Sequence, residues 1–106
     1  MPQGTLFNLK MGYNVVNGIK KPRLQLPRTY DSWIGEYVYI SSVNGNIVLS
    51  ISKLNESDVK RKISYFSNAK VKRPVIVIPD EYSSWVECPI LVRIYNCGLI
   101  VVAKSE

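Results

Sequence analysis

Histidine is absent from this chain, and cysteine occurs only at Cys88 and Cys97. That excludes a zinc site of known ligand spacing and a multi-disulfide framework. It fits a reducing, intracellular setting, where isolated cysteines serve as small buried hydrophobes. No histidine is available to activate either thiol as a nucleophile. Long apolar runs are lacking too. The opening MPQGTLFNLKMGYN has no apolar stretch behind a basic one, and no segment approaches the roughly eighteen apolar residues of a membrane span. The expectation is a chain neither exported by a standard signal nor embedded, resident in the cytoplasm. Acids are scarce: 8 Asp and Glu face 14 Lys and Arg, for a net charge of +6 and a pI near 9.4. A polyanion is the natural partner for such a balance. Net charge speaks to association and solubility, however, so the positions of the charges must decide.

What is present is enough apolar character for a packed core. The 106 residues are 46% hydrophobic and 21% charged, ordinary for a folded protein and far from a disordered composition. This length suits one compact domain, or two small units sharing one core. A repeat favours the second form. The segment Lys20 to Ile51 aligns without a gap on Lys72 to Ala103, an offset of 52 residues, with seven of 32 pairs identical. These are Lys20 with Lys72, Pro22 with Pro74, Pro27 with Pro79, Tyr30 with Tyr82, Ser32 with Ser84, Trp33 with Trp85 and Asn44 with Asn96. Both tryptophans of the chain fall in register, which argues against chance. Eight further pairs keep aliphatic character, Leu24, Leu26, Ile34, Val38, Ile40, Ile47, Val48 and Leu49 meeting Ile76, Ile78, Val86, Ile90, Val92, Leu99, Ile100 and Val101, and upstream Met11 and Tyr13 face Ile63 and Tyr65. The organisation expected is a single domain, 1–106, with repeat one at about 9–52, a polar linker at 53–58 and repeat two at about 59–104.

Within each repeat the apolar positions alternate. Leu9, Met11, Tyr13 and Val15 have the period of a strand with one buried face. A basic turn is expected at Gly18–Pro22 and again at Lys70–Pro74. Short strands follow at Arg23–Leu26 and Val75–Ile78, each stopped by a proline that cannot donate to a ladder. The Tyr-x-x-Trp spacing behind each proline sets both rings on one side of a short helix that caps the core. Further strands are expected at Tyr37–Val43 and Ile47–Ile51, and at Ile90–Tyr95 and Leu99–Ala103. Asn44-Gly45-Asn46 is a hairpin signal because Asn and Gly tolerate positive φ.

The order is a strand, a basic turn, a strand ending in Leu-Pro or Ile-Pro, a short helix, and a hairpin closing on Asn-Gly-Asn-Ile-Val-Leu. It resembles the SpoVT/AbrB family of swapped-hairpin DNA-binding units, including archaeal and archaeal-virus types. RLQLPRTYDSWIGEYVYISSVNGNIVLS and VIVIPDEYSSWVECPILVRIYNCGLIVVAK carry the resemblance, and Glu87-Cys88-Pro89 departs from it where the first copy has Gly35-Glu36. The resemblance implies a mainly β fold in which two fused swapped-hairpin repeats form one pseudo-two-fold β-barrel, with a short helix in each repeat. Fusion replaces dimerisation by a high effective concentration, and a homodimer of such chains is the alternative.

The resemblance also implies a transcription regulator or small architectural protein that contacts double-stranded DNA through its basic turns. Matching positions are Lys20, Lys21, Arg23 and Arg28 in the first copy and Lys70, Lys72 and Arg73 in the second. Lys60, Arg61 and Lys62 add a run whose nearest counterpart is Lys10. Replacing Lys20, Lys21, Arg23 and Arg28 with Ala is expected to abolish DNA binding while leaving the fold intact. The bland alternative is a solvated basic face that protects sheet edges. The copies differ, since Arg23 and Arg28 correspond to Val75 and Asp80. Either the first half carries more of the binding, or the acidic Asp80-Glu81 serves a protein contact. Tyr and Trp could stack on single-stranded bases, but their register favours core packing.

No catalytic constellation is visible: no histidine, no acidic pair in both copies and no glycine-rich phosphate loop. No enzyme activity, cofactor, metal, membrane or small-molecule substrate is implied. A protein-interaction or antitoxin-like role without DNA contact is the alternative function, disfavoured because the second copy ends close to Glu106, leaving no tail to wrap a partner.

Overall fold

The computed structural model describes residues 5–65, 70, 72–95 and 98–105. Among these, nine strands run in chain order: β1 (Thr5–Lys10), β2 (Gly12–Val16), β3 (Ile19–Gln25), β4 (Tyr37–Val43), β5 (Asn46–Ser50), β6 (Val59–Lys62), β7 (Val75–Val77), β8 (Pro89–Ile94) and β9 (Ile100–Lys104). Two 3-10 turns, Arg28–Trp33 and Asp80–Trp85, complete the set. The chain is mainly β, but its strands form two sheets and not the closed barrel expected. The larger sheet has the order β1-β8-β9-β5-β4-β6 and the smaller β2-β3-β7. The physical reason lies at two kinds of break. At Met11, between β1 and β2, the chain leaves one edge of the larger sheet for the smaller. After β6 it does so again, where Ser64 bridges Val75. Pro27 and Pro79 then follow β3 and β7 without an N–H, and the ladder stops there.

The pairing recurs at the 52-residue offset, and each copy's strands pair with the other's. Antiparallel β1 lies on β8, and β6 lies on β4. The central strands β5 and β9 pair Val48 with Val101 and Leu49 with Ile100, contacts that exchange under the offset. In the smaller sheet Leu24 faces Ile76, its own counterpart. Loop hydrogen bonds follow the same rule. Met11 N–H donates to the Cys88 carbonyl at 2.9 Å and the Met11 carbonyl accepts from Glu87 at 2.8 Å. Ile63 N–H donates to Glu36 at 2.8 Å and the Ile63 carbonyl accepts from Gly35 at 2.8 Å. Consequently Met11 and Ile63, Leu24 and Ile76, Leu26 and Ile78, Val38 and Ile90, and Ile40 and Val92 are all buried in one core. Each large aliphatic side chain so buried contributes roughly 1.5–3 kcal/mol.

The short helices are 3-10 and not α, which suits a six-residue element held by i to i+3 bonds. Pro27 and Pro79 enter them with φ of −59° and −56°. Tyr30 and Tyr82 N–H each donate to those proline carbonyls at 3.0 Å. The Tyr-x-x-Trp spacing brings the rings together, with centroids 5.0 Å apart for Tyr30 and Trp33 and 5.8 Å for Tyr82 and Trp85. The second pair is buried, and the first is half-buried against the same core.

The alternation before β3 departs from expectation. Leu9 and Met11 turn toward the core, whereas Tyr13 and Val15 are exposed on the β2–β3 hairpin. Asn17 and Gly18, at φ of +54° and +77°, make the two-residue turn of that hairpin, so Lys20, Lys21 and Pro22 lie in a strand and not in a basic turn. Asn44 and Gly45, at +52° and +80°, make the matching turn between β4 and β5. The corresponding Asn96 and Cys97, and part of the approach to β7, lie outside the described residues. No helix among the described residues is long and apolar enough to cross a membrane.

Candidate nucleic-acid interface

The cations read from the sequence fall on three structural elements. On β3, Lys21 and Arg23 share one face and Lys20 the other, as strand alternation requires. On β6, Lys60 and Lys62 are exposed and Arg61 is half-buried; this is an edge strand, paired only through β4. Ahead of β7, Lys70, Lys72 and Arg73 are exposed, and Arg28 is exposed at the start of the first 3-10 turn.

Several of these cations lie over aromatic rings. Lys20 Nζ sits 4.6 Å from the Tyr13 ring centroid, and its counterpart Lys72 sits 4.7 Å from that of Tyr65. Both tyrosines are exposed, at 39% and 40%. Lys60 sits 4.8 Å from Tyr37 and 5.8 Å from Tyr39, the latter being its register partner across β4. Such cation–π contacts fix long side chains on a solvent-exposed sheet.

Acids divide the basic surface. Lys20 Nζ donates to Glu87 Oε2 at 3.1 Å. Lys21 Nζ donates to Asp80 Oδ2 at 2.9 Å. The hydrogen bond to Glu87, that carboxylate's charge and the Tyr13 phenol hold the Lys20 ammonium above the ordinary lysine range, with only slight opposition from burial. Arg23 is pushed below the usual arginine range by its partial burial, against the attraction of Asp80 and with the repulsion of Arg61. Lys21 and Arg23 therefore share the field of one carboxylate, Asp80, with Arg61 near enough to Arg23 to repel it.

Applying the 52-residue offset to this cluster gives a different result on the other side. Lys21 and Asp80 correspond to Arg73 and Arg28. Together with Lys10, these two arginines line a cleft of about 320 Å³ that Gln25, Leu26 and Pro27 also line. No acid lines it, and none of the three cations forms an ion pair among the described residues. The counterpart of Lys20–Glu87 is likewise open, since Lys72 corresponds to Lys20 but Gly35 to Glu87. So the two acids that neutralise one side come from the second copy, and the first copy has an arginine and a glycine in their places. A larger hollow of about 580 Å³, lined by Trp33, Tyr37, Val38, Ile51 and Ile63 with Glu36 at its rim, collects no cations.

The structure thus brings Arg28 and Arg73 together across the copies, and separately Lys21, Arg23 and Arg61. It leaves Lys20, Lys60, Lys62, Lys70 and Lys72 spread along exposed strands and loops. Sequence reasoning left Lys10 outside the site, although its register with Lys62 at the same offset was a usable signal. The roles of Tyr13 and Tyr65 under their lysines, and of Glu87 as a neutralising acid, were also missed. Among the described residues no group of three or more Cys, Asp and Glu could hold a metal ion. Cys88 is half-buried and free, and Cys97 lies outside the described residues. No family model matches the chain, and no curated protein or solved structure matches it.

Proposed function

We propose that this chain is a duplex-DNA-binding protein, a regulator or small architectural protein, built from two fused swapped-hairpin units of the SpoVT/AbrB kind. The single observation carrying this reading is the repeat of an exposed lysine over an exposed tyrosine, Lys20 on Tyr13 and Lys72 on Tyr65. Core residues recur in a repeat because packing requires them. An exposed pair has no such requirement and fits a surface that meets a two-fold object twice. Duplex DNA is such an object, with phosphates related by local dyads along its length. The fused-unit reading is supported by pairing in which β1 and β6 each lie on a strand of the other copy. Exposed phosphate contacts of this kind act through counterion release, so affinity falls steeply with salt, by about 0.9 in the logarithmic slope per contact.

A mobility-shift titration on random duplex DNA at low and high salt, with the oligomeric state read by light scattering, tests the proposal. Salt-sensitive binding by a monomer is the expected result. Absence of binding at every salt concentration would sink it and favour a protein-interaction role. One observation speaks for that second reading: Val15, Val16 and Ile19 stand 57%, 41% and 57% exposed at the tip of the β2–β3 hairpin.

A further inference from the structure

We infer that the cleft between Lys10, Arg28 and Arg73 is a single phosphate-binding site, present on one side of the molecule only. This deepens the DNA-binding proposal and rests on it for the identity of the ligand, a backbone phosphate of duplex DNA.

The argument is a comparison of one geometry in two chemical versions. On the sealed side, the position after Pro79 is Asp80, and its carboxylate holds the Lys21 ammonium at 2.9 Å. On the open side, the position after Pro27 is Arg28 and the place of Lys21 belongs to Arg73. A fold that pairs opposite charges at one place therefore puts like charges, Arg28 and Arg73, at the equivalent place, where both line the same cleft. Like charges at such a position repel, a cost that an anion between them removes. Lys10 supplies a third cation to the lining, and Gln25, where the sealed side has Val77, supplies an amide that can donate. A phosphate group has the right chemistry: two or more acceptor oxygens matched to guanidinium forks and an ammonium. The sealed side carries its own anion covalently, as Asp80, and needs none from outside.

The test is an amide NMR titration with inorganic phosphate at constant ionic strength, with chloride as the balancing salt. Saturable shifts grouped at Lys10, Arg28 and Arg73 are expected in the wild type. Arg28→Asp copies the sealed side and should weaken phosphate binding by about tenfold or more, while its melting curve stays close to wild type because the equivalent position already holds Asp. Asp80→Arg should add a second saturable site near Lys21 and Lys62. Should either fold poorly, Lys10→Gln gives the same reading for the open cleft. The absence of a saturable site, or phosphate binding unchanged by Arg28→Asp, overturns the inference whatever the mobility shift shows. Displacement of bound phosphate by a duplex with hydroxyl ends supports the backbone source. Displacement by a 5′-mononucleotide but not by that duplex keeps the anion site and removes DNA as its ligand.

Discussion

The two surfaces behind Pro27 and Pro79 share a backbone and differ in charge. Their 3-10 turns match in detail: the kinked tyrosines sit at φ of −100° and −101°, and the residues that close the turns at −60° and −55°. Yet one surface holds a lysine–aspartate pair and the other brings Lys10, Arg28 and Arg73 to a single cleft. The difference teaches where duplicated sequence is constrained. Buried positions must remain mutually compatible, because each copy's strands complete the other's core. Exposed positions at the same offset are free to diverge, and here divergence has left one side without the ion pairs that Asp80 and Glu87 form on the other. That side is not one half of the chain. It combines Lys10 and Arg28 from the first copy with Lys72 and Arg73 from the second, so neither copy carries the proposed binding surface by itself.

The largest effect is expected from removing the open side. Replacing Lys10, Arg28, Lys72 and Arg73 with Ala should lower duplex affinity by on the order of a thousandfold at moderate salt, since several phosphate contacts and their counterion release are lost together. Replacing Lys21 alone, whose charge is already met by Asp80, should cost less than about tenfold. Parallel binding isotherms at two salt concentrations measure both. Equal losses would mean that neutralisation by Asp80 does not decide which cations meet DNA. Of the four residues whose joint replacement was expected to abolish DNA binding, Lys20, Lys21, Arg23 and Arg28, only Arg28 lines the open cleft.

Next in size is a pair of core truncations that should break the two copies alike. Leu24 and Ile76 face each other as counterparts, 1% and 0% exposed. Leu24→Ala and Ile76→Ala should each destabilise the fold by roughly 2–5 kcal/mol, through lost burial and the cavity left behind. Denaturant unfolding measures this. A large inequality between the two would show that one copy folds around the other and would end the description of the core as evenly shared.

A smaller effect is expected at the corner where the copies depart. Gly35 adopts φ of +99°, a region open to glycine, whereas its counterpart Glu87 is held at +64°, which costs a residue with a Cβ roughly 1 kcal/mol. Glu87→Gly relieves that cost and frees Lys20, making the sealed side resemble the open one. Duplex affinity should rise a few-fold with a steeper salt dependence, and the melting temperature should not fall. Weaker binding would mean that Glu87 positions Lys20 for DNA instead of neutralising it.

How much of this was legible in the sequence follows from the range of each interaction. The repeat, the strands β4 and β5, the prolines and the paired aromatics are written in local spacing, and they were readable. The Asn17-Gly18 turn is equally local, a two-residue hairpin signal, but the basic residues after it have the composition of a turn and the pairing of a strand. The break at Met11 was not readable, because alternation continues through it while the backbone changes sheets. Nor were the ion pairs: Lys21 and Asp80 are 59 positions apart, and only the pairing of β3 with β7 brings them together. The candidate site was visible as composition and invisible as arrangement. Three cations lining one cleft differ from a lysine held by a carboxylate only once the chain has folded.

The smallest effect is expected at the turn ahead of β6, the strand that corresponds to β1. Asp58 Oδ2 accepts the amide hydrogens of Leu54 at 2.6 Å and Asn55 at 2.9 Å. Burial favours its neutral form, but these amides, aided by the nearby Ser41 hydroxyl and the Asn55 side chain, hold its pKa below the ordinary 3.8. The Ser41 hydroxyl lies near the carboxylate without an ordinary hydrogen bond of its own. A carboxyl group depressed in the folded state binds its proton more readily when unfolded, so its contribution to stability is present above the unfolded value and fades as pH falls through the folded one. The melting temperature should therefore decline as pH drops from about 4 downward, and Asp58→Asn should flatten that part of the profile. Because the turn anchors the entry to β6, and with it Lys60, Arg61 and Lys62, the variant should loosen this edge before the core, visible as faster amide exchange in β6 than in β1. Equal exchange in the two strands would mean that β4 alone holds β6 in place and that the acid at the turn is dispensable to the basic edge it precedes.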